Sequence, residues 1–168
     1  LVDEEQFVGH GGAGESGTEG LVDSPYFNPG GLTGVWATEN TRKSIFQSLK
    51  NREVYGTSGP RIELRFFATN GPINESCGSE EWLQKAYKGV TMGGTGTGSE
   101  YFHVWVSPDQ YSKPIQRIQI IKGWLDGTTP QETIYSVDSQ SDGLECISWQ
   151  DPNPSSGRAF YYARVLEE

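Results

Sequence analysis

The chain has 168 residues and a formal net charge of −9, with 22 acidic and 13 basic side chains. This balance argues against nucleic acid as a partner, because binding to a phosphate backbone needs clustered Lys and Arg. No run of about 18 apolar residues occurs, so we expect a soluble protein without a membrane partner. The length suffices for one domain with its own core. The compartment stays open, since a periplasmic or secreted location would require a signal upstream of Leu1.

Residues 1–34 are rich in glycine and predict an irregular lead segment. Residues 9–34 alone hold nine glycines, without a sustained hydrophobic period. Such backbone loses much conformational entropy on ordering and supplies few side chains for a core. Gly12 to Gly17 match the G-x-G-x-x-G dinucleotide pattern. Because that motif works only between a strand and a helix, which this context does not predict, we expect a chance match.

Helical spacing predicts one main helix within residues 35–56, beginning at Thr38 or Asn40 and ending near Arg52. Its apolar side chains share one face: Ile45, Phe46 and Leu49. A helix of this length is marginal alone, so we expect this face to dock on a sheet or on other protein.

From Arg61 onward the hydrophobic period changes to two, which is typical of half-buried strands. Segments separated by turn-rich stretches predict strands near residues 61–67, 101–107, 115–122, 133–138, 145–150 and 158–166. A short helix is predicted within residues 79–88. The fold class is therefore mainly β (α+β), with residues 57–168 forming an antiparallel β-sandwich.

Cysteine and histidine usage gives few site candidates. A disulfide between Cys77 and Cys146 would need an oxidising compartment, and we expect two unrelated thiols. His103 lies in an alternating strand, where a packed or surface histidine is expected rather than a metal ligand. His10 lies among glycines that expose its imidazole, and composition alone favours a solvent-exposed loop histidine.

Aromatic residues are the other candidates. The five tryptophans could form a sugar-stacking platform, although aromatics in strands more often pack in a core. Trp124 is the candidate ligand-binding residue, because the glycines around it predict a turn that leaves its ring free. A second glycine run, Gly93 to Gly98, lacks the Lys-Ser/Thr ending of a phosphate loop and is interpreted as a simple loop.

Several stretches resemble the C-terminal part of an uncharacterised family of predicted metallohydrolases. The longest is GLTGVWATENTRKSIFQSLKNREVYGTSGPRIELRFF, and the others are Gly89–Gly94, Ile115–Gly123, Ser148–Pro152 and Arg158–Glu167. That family resembles the polymerase-and-histidinol-phosphatase (PHP) superfamily of metal-dependent hydrolases. The resemblance implies a metal-binding barrel upstream of Leu1, which would be the main partner of this chain and would hold a divalent metal ion. The Phe7–Gly12 segment resembles the stretch just after that family's last barrel motif, which implies that His10 is a metal ligand or active-site contact in the complete protein. The resemblance implies no catalytic residue within this chain itself.

The sequence is therefore consistent with two functions. The first is an accessory, C-terminal portion of a metal-dependent hydrolase, inactive in isolation, whose helix docks on the barrel. Without the barrel, we expect self-association through Ile45, Phe46 and Leu49. The alternative is a β-sandwich module that binds carbohydrate or protein without catalysis.

Overall fold

The computed structural model describes residues 31–98, 100–140, 143–154 and 157–168. Within these ranges the chain is mostly β, with antiparallel pairing throughout and two helices, as predicted. Neither of these helices is long and apolar enough to span a membrane. The elements are β1 (Leu32–Val35), α1 (Arg42–Asn51), β2 (Val54–Thr57), β3 (Glu63–Thr69), α2 (Glu80–Ala86), β4 (Val90–Thr91), β5 (Tyr101–Ser107), β6 (Ile115–Asp126), β7 (Thr129–Asp138), β8 (Glu145–Gln150) and β9 (Ala159–Glu167).

Helix α1 lies between two short strands, β1 and β2, which pair with each other. The sequence predicted the helix but not these strands. The predicted cap was also wrong: Thr41 is the N-cap, because its backbone is extended and its hydroxyl accepts the Ser44 N–H at 3.3 Å. Thr38 instead hydrogen-bonds the Ser44 hydroxyl. The helix ends at Arg52, whose left-handed backbone (φ 63°) lets its N–H bond the carbonyls of the last turn.

Trp36 attaches this small unit to the main sheet. Its indole N–H donates to the Leu64 carbonyl at 2.7 Å. The guanidinium of Arg65 lies over the Trp36 ring, 3.6 Å from its centroid, and is also near Tyr87 and Trp105. This stack of a cation between aromatic rings fixes the position of the small sheet against β3.

The first main sheet has the strand order β4-β3-β5-β8. Strand β5 lies in its interior, paired with β3 on one side and β8 on the other. Both faces of β5 carry buried residues, Phe102, Val104 and Val106 on one side and His103 on the other. The predicted alternation over residues 61–67 is confirmed, since Ile62, Leu64 and Phe66 all pack in the core.

The second main sheet has the order β7-β6-β9, with β6 and β7 forming a long hairpin that turns at Gly127 (φ 62°). The hairpin is longer than predicted, because Gly123 and Pro130, which indicated turns, both lie inside strands. Pro130 is tolerated because β7 is an edge strand and needs no hydrogen bond on its outer side. A Cβ at position 123 would come within 2.2 Å of the Phe160 ring, so the glycine lets that ring lie across β6.

One hydrophobic cluster draws side chains from both main sheets. The first sheet contributes mainly Phe102, Val104, Val106, Ile147 and Trp149, and the second contributes Ile115, Ile118 and Ile120. The other face of the first sheet is covered by α2, where Trp82 and Ala86 pack on Phe67. The first sheet is thus covered on both faces, and its interior strand β5 has buried residues on each of them.

The two cysteines form a disulfide, so the expectation of unrelated thiols was wrong. Cys146 lies in β8, opposite Trp105 of β5, and Cys77 precedes α2 on the same face of the sheet. Their Cα atoms are 5.5 Å apart, although the two residues are 69 positions apart in sequence. Sequence spacing could not show this proximity, because the fold of α2 back onto the sheet creates it.

Candidate functional site

A cleft in the described part of the chain has a volume of about 550 Å³. It lies between β4 with the glycine-rich loop after it, on one side, and the start of β9 on the other. Its size is within the range of small-molecule sites. Its lining includes two charged and four aromatic side chains: Arg52, Glu100, Phe66, Phe102, Phe160 and Tyr161.

Stacked aromatic rings form the wall of the cleft. The rings of Phe102 and Tyr161 are nearly parallel, with centroids 3.9 Å apart, and the Phe66 ring stacks on Phe102 with centroids 6.0 Å apart. Phe102 comes from the first main sheet and Tyr161 from the second, so the cleft opens where the two sheets meet. Because these rings are held by the core, the wall is rigid before any ligand binds.

Two charged side chains of opposite sign complete the lining. Arg52 and Glu100 are both exposed, and among the described residues neither side chain has an ion pair or hydrogen bond. The backbone of Arg52 is fixed by Gly93 (φ 75°), where a Cβ would come within 2.4 Å of the Arg52 Cβ. The second glycine run therefore does more than form a simple loop, since it closes tightly on the end of α1.

A buried ion pair lies behind Tyr161. The Lys122 ammonium donates to the Asp151 carboxylate (Nζ to Oδ2, 2.7 Å), and both side chains are almost fully buried. The Tyr161 hydroxyl donates to the same oxygen at 2.8 Å. The second oxygen of Asp151 accepts the Asn153 N–H at 3.0 Å.

These hydrogen bonds decide the charge states in the cluster. Burial alone would raise the pKa of Asp151, but hydrogen bonds from Lys122, the Asn153 amide and Tyr161 outweigh it, and the pKa is lowered. Burial and the neighbouring Asp151 carboxylate raise the pKa of Tyr161 well above its ordinary value. Tyr161 therefore stays a neutral donor, and the cluster is suited to holding the wall of the cleft rather than to proton transfer.

Trp124, the predicted ligand-binding residue, lies within β6 and not in a turn. It is half-buried, and its ring centroid is 4.9 Å from the Lys122 Nζ. Trp124 does not line the cleft. The other four tryptophans are buried or half-buried, so the exposed aromatic side chains of this region are Phe160 and Tyr162 instead.

His103 is fully buried, which confirms the expectation of a packed strand histidine over a metal ligand. Both ring nitrogens have partners: Nε2 bonds the Thr69 hydroxyl at 2.8 Å, and Nδ1 bonds the Ser148 hydroxyl at 2.7 Å. Burial lowers the pKa of His103. With both nitrogens occupied, this imidazole does not fit a metal ion.

The predicted metal ligand, His10, and the remainder of the lead segment 1–30 lie outside the described residues. In the described ranges, no group of three or more His, Cys, Asp or Glu side chains is placed to hold a metal ion. The residues described here therefore do not supply the divalent-metal site that the resemblance implies, and no reaction step is assigned to such a site.

Comparison with known proteins identifies the family to which the chain belongs. A family described as a protein of unknown function (DUF3604) matches residues 3–146, which is most of the sequence. The chain belongs to this family. An uncharacterised protein of Chlamydia pneumoniae is 28% identical over 152 residues, covering 86% of this chain and 22% of that protein. No solved structure matches the chain.

Membership in the DUF3604 family confirms that the resemblance is to an uncharacterised family. It does not extend to the hydrolase superfamily, since the family's description names no activity. The chain spans about a fifth of the length of the Chlamydia relative.

Sequence reasoning did not find the cleft, because its lining comes from positions as far apart as Arg52 and Tyr161. The only local signal was the Gly93–Gly98 run.

Proposed function

We propose that this chain is a non-catalytic accessory part of a longer DUF3604 protein and that α1 docks it on the rest of that protein. The observation that carries the proposal is the exposure of the apolar face of α1. Phe46 is 66% exposed and Leu49 46% exposed, while Ile45 is half-buried. Covering the exposed parts of these two side chains would contribute about 2–3 kcal/mol.

The occupant of this face is the remaining polypeptide of the longer protein. One observation supports that choice: the Chlamydia relative extends far beyond the matched region. The buried titratable groups support a structural role, because Lys122, Asp151 and His103 make hydrogen bonds to other groups inside the fold.

The proposal includes an architecture. The two main sheets pack as a β-sandwich, and the support for this is the single hydrophobic cluster to which both contribute. It also includes an activity for the longer protein, a metal-dependent hydrolase with an upstream barrel that binds a divalent metal and draws on His10. The support for that part is the sequence resemblance alone.

The docking role is tested with Phe46→Ser/Leu49→Ser, made in the isolated chain and in the longer protein. In the isolated chain, wild type is expected to self-associate with rising concentration, and the variant to stay monomeric in sedimentation velocity. In the longer protein, the variant is expected to lower the thermal midpoint and to admit protease between this region and the rest. Tyr111→Ser is the matched control, because Tyr111 is 96% exposed and lies in the loop between β5 and β6 rather than on α1.

Equal stability and equal protease resistance of the double variant and the control in the longer protein would contradict docking through α1. The absence of catalysis in the isolated chain is tested separately. The isolated chain with Mn²⁺ is expected to hydrolyse p-nitrophenyl phosphate at the background rate. Hydrolysis above background that is lost in His10→Ala would show that the chain is itself catalytic.

A further inference from the structure

We propose that the cleft between β4 and β9 binds a neutral oligosaccharide, with the rings of Phe160 and Tyr162 extending the site along the outside of β9. This role is independent of docking through α1, because α1's exposed residues Phe46 and Leu49 do not line the cleft. Four observations carry the proposal: the shape of the wall, the exposed rings, the glycine beneath them and the balance of charge.

The exposed rings form a flat surface. Phe160 is 61% exposed and Tyr162 42% exposed, and their planes differ by 15° with centroids 6.2 Å apart. Side chains two positions apart on a strand share a face, so both rings point away from the shared core. Phe160 also lines the cleft, so this surface begins at the cleft and lies on the opposite face of β9 from Tyr161.

Gly123 makes this surface possible. It is directly opposite Phe160 in the pairing of β6 with β9. Any larger residue at position 123 would place its Cβ 2.2 Å from the Phe160 ring, so that ring could no longer lie across β6. A glycine in the middle of a strand weakens that strand, and it often marks a place where another group approaches the backbone closely. Here the approaching group is an aromatic ring that shows its outer face to solvent.

The charges in the lining favour an uncharged ligand. The lining holds one positive and one negative side chain, Arg52 and Glu100, so their charges together favour neither an anion nor a cation, and the net charge of −9 opposes a polyanion. A guanidinium offers several donors and a carboxylate several acceptor positions, so this pair can bond neighbouring hydroxyl groups of one ligand. Both side chains are free to do so, since neither has a partner among the described residues.

Sugars combine the required features. A pyranose ring has a face of C–H groups that packs on an aromatic ring and an edge of hydroxyl groups that bonds polar side chains. The Phe160–Tyr162 surface presents exposed rings on which sugar units can stack, and the cleft beside it presents a separated pair of hydrogen-bonding charges. The structure does not select among glycosidic linkages.

The test uses the whole 168-residue chain and four probes: cellohexaose, xylohexaose, maltohexaose and chitohexaose. Titration calorimetry, with amide chemical-shift mapping, is expected to detect millimolar or tighter binding of at least one probe. Removing the stacking ring in Phe160→Ala is expected to weaken that binding about tenfold, whereas Phe160→Tyr keeps it within about twofold. Arg52→Gln is expected to weaken it, and Tyr111→Ala to leave it unchanged.

Every outcome of these titrations either supports or overturns the oligosaccharide proposal. Absence of binding to all four probes at millimolar concentration overturns the proposal, as does binding that neither Phe160→Ala nor Arg52→Gln weakens. Binding of an apolar decapeptide that is sensitive to Phe160→Ala, with no sugar bound, would assign the surface to protein instead. Unfolding midpoints of the variants distinguish lost binding from lost fold. Phe46→Ser/Leu49→Ser is expected to bind the sugar normally, which separates this result from the docking role.

Discussion

Removing the charge of Asp151 is expected to destabilise the fold severely. In Asp151→Asn the side chain keeps its shape, but the buried Lys122 ammonium loses its counter-charge. A broken buried pair costs about 3–5 kcal/mol, because one ion is left in a medium that solvates it poorly. That is a large share of the stability of an ordinary domain, which is about 5–15 kcal/mol. We expect the lower end of the range, since the new amide oxygen can still accept from Tyr161.

A double-mutant cycle shows whether the charges are the cause. Lys122→Met/Asp151→Asn removes both ions, so it should cost clearly less than the sum of the two single variants, with a coupling on the order of 2 kcal/mol. Tyr161→Phe removes one hydrogen bond to a charged group and should cost about 1–3 kcal/mol. The assay is urea unfolding followed by tryptophan fluorescence, which is suited to this region because Trp124 lies beside Lys122.

The same cluster predicts a dependence on pH. The folded pKa of Asp151 is lowered, so its contribution to stability is present above the unfolded pKa of about 3.9 and is lost as the pH falls through the folded value. The stability gap between wild type and Asp151→Asn should therefore close in acid. A cost below about 1 kcal/mol for Asp151→Asn at neutral pH, or additive single variants, would refute the electrostatic explanation.

Two further predictions concern the disulfide and the buried His103. Cys77→Ser/Cys146→Ser should lower the free energy of unfolding by about 4 kcal/mol, because the bond closes a loop spanning 69 positions; reduced wild type should behave alike, and alkylation of both cysteines without reductant would disprove the bond. His103 has a lowered pKa, so its contribution is present above the unfolded pKa of about 6.5 and is lost as the pH falls through the folded value. Thermal midpoints between pH 8 and pH 5 should therefore depend less on pH in His103→Gln than in wild type, and an NMR titration giving His103 an unshifted pKa would oppose this.

Sequence patterns predicted the longer strands, which are bounded by clear turns. Strands β5 and β8 were predicted with their observed bounds, because apolar and polar residues alternate there within clear turns. Strands β1, β2 and β4 were missed, since they have only two to four residues and no usable period. The hairpin of β6 and β7 was predicted too short, because the turn signals at Gly123 and Pro130 were overridden by packing against Phe160 and by the edge position of β7.

The candidate site could not be predicted in the same way. The cleft depends on Arg52, Glu100 and Phe160 meeting across two sheets, and no local pattern encodes that meeting. Trp124 was chosen because glycines flank it, yet pairing with Gln131 and Ala159 places it within a strand. The exposed rings were overlooked because Phe160 and Tyr162 fit an ordinary strand pattern, and only their relation to Gly123 reveals the flat surface.

The position of the disulfide has a consequence for assembly. Strand β8 ends the first sheet, so its outer backbone groups are available to pair with a strand from another molecule. Cys146 ties this strand to the segment before α2, which limits its freedom to leave the sheet and exchange. Where thiols are kept reduced, that restraint is lost and the edge is open to strand swapping and aggregation. The bond thus guards against wrong partners as well as stabilising the right fold, and production of the soluble chain should depend on an oxidising environment.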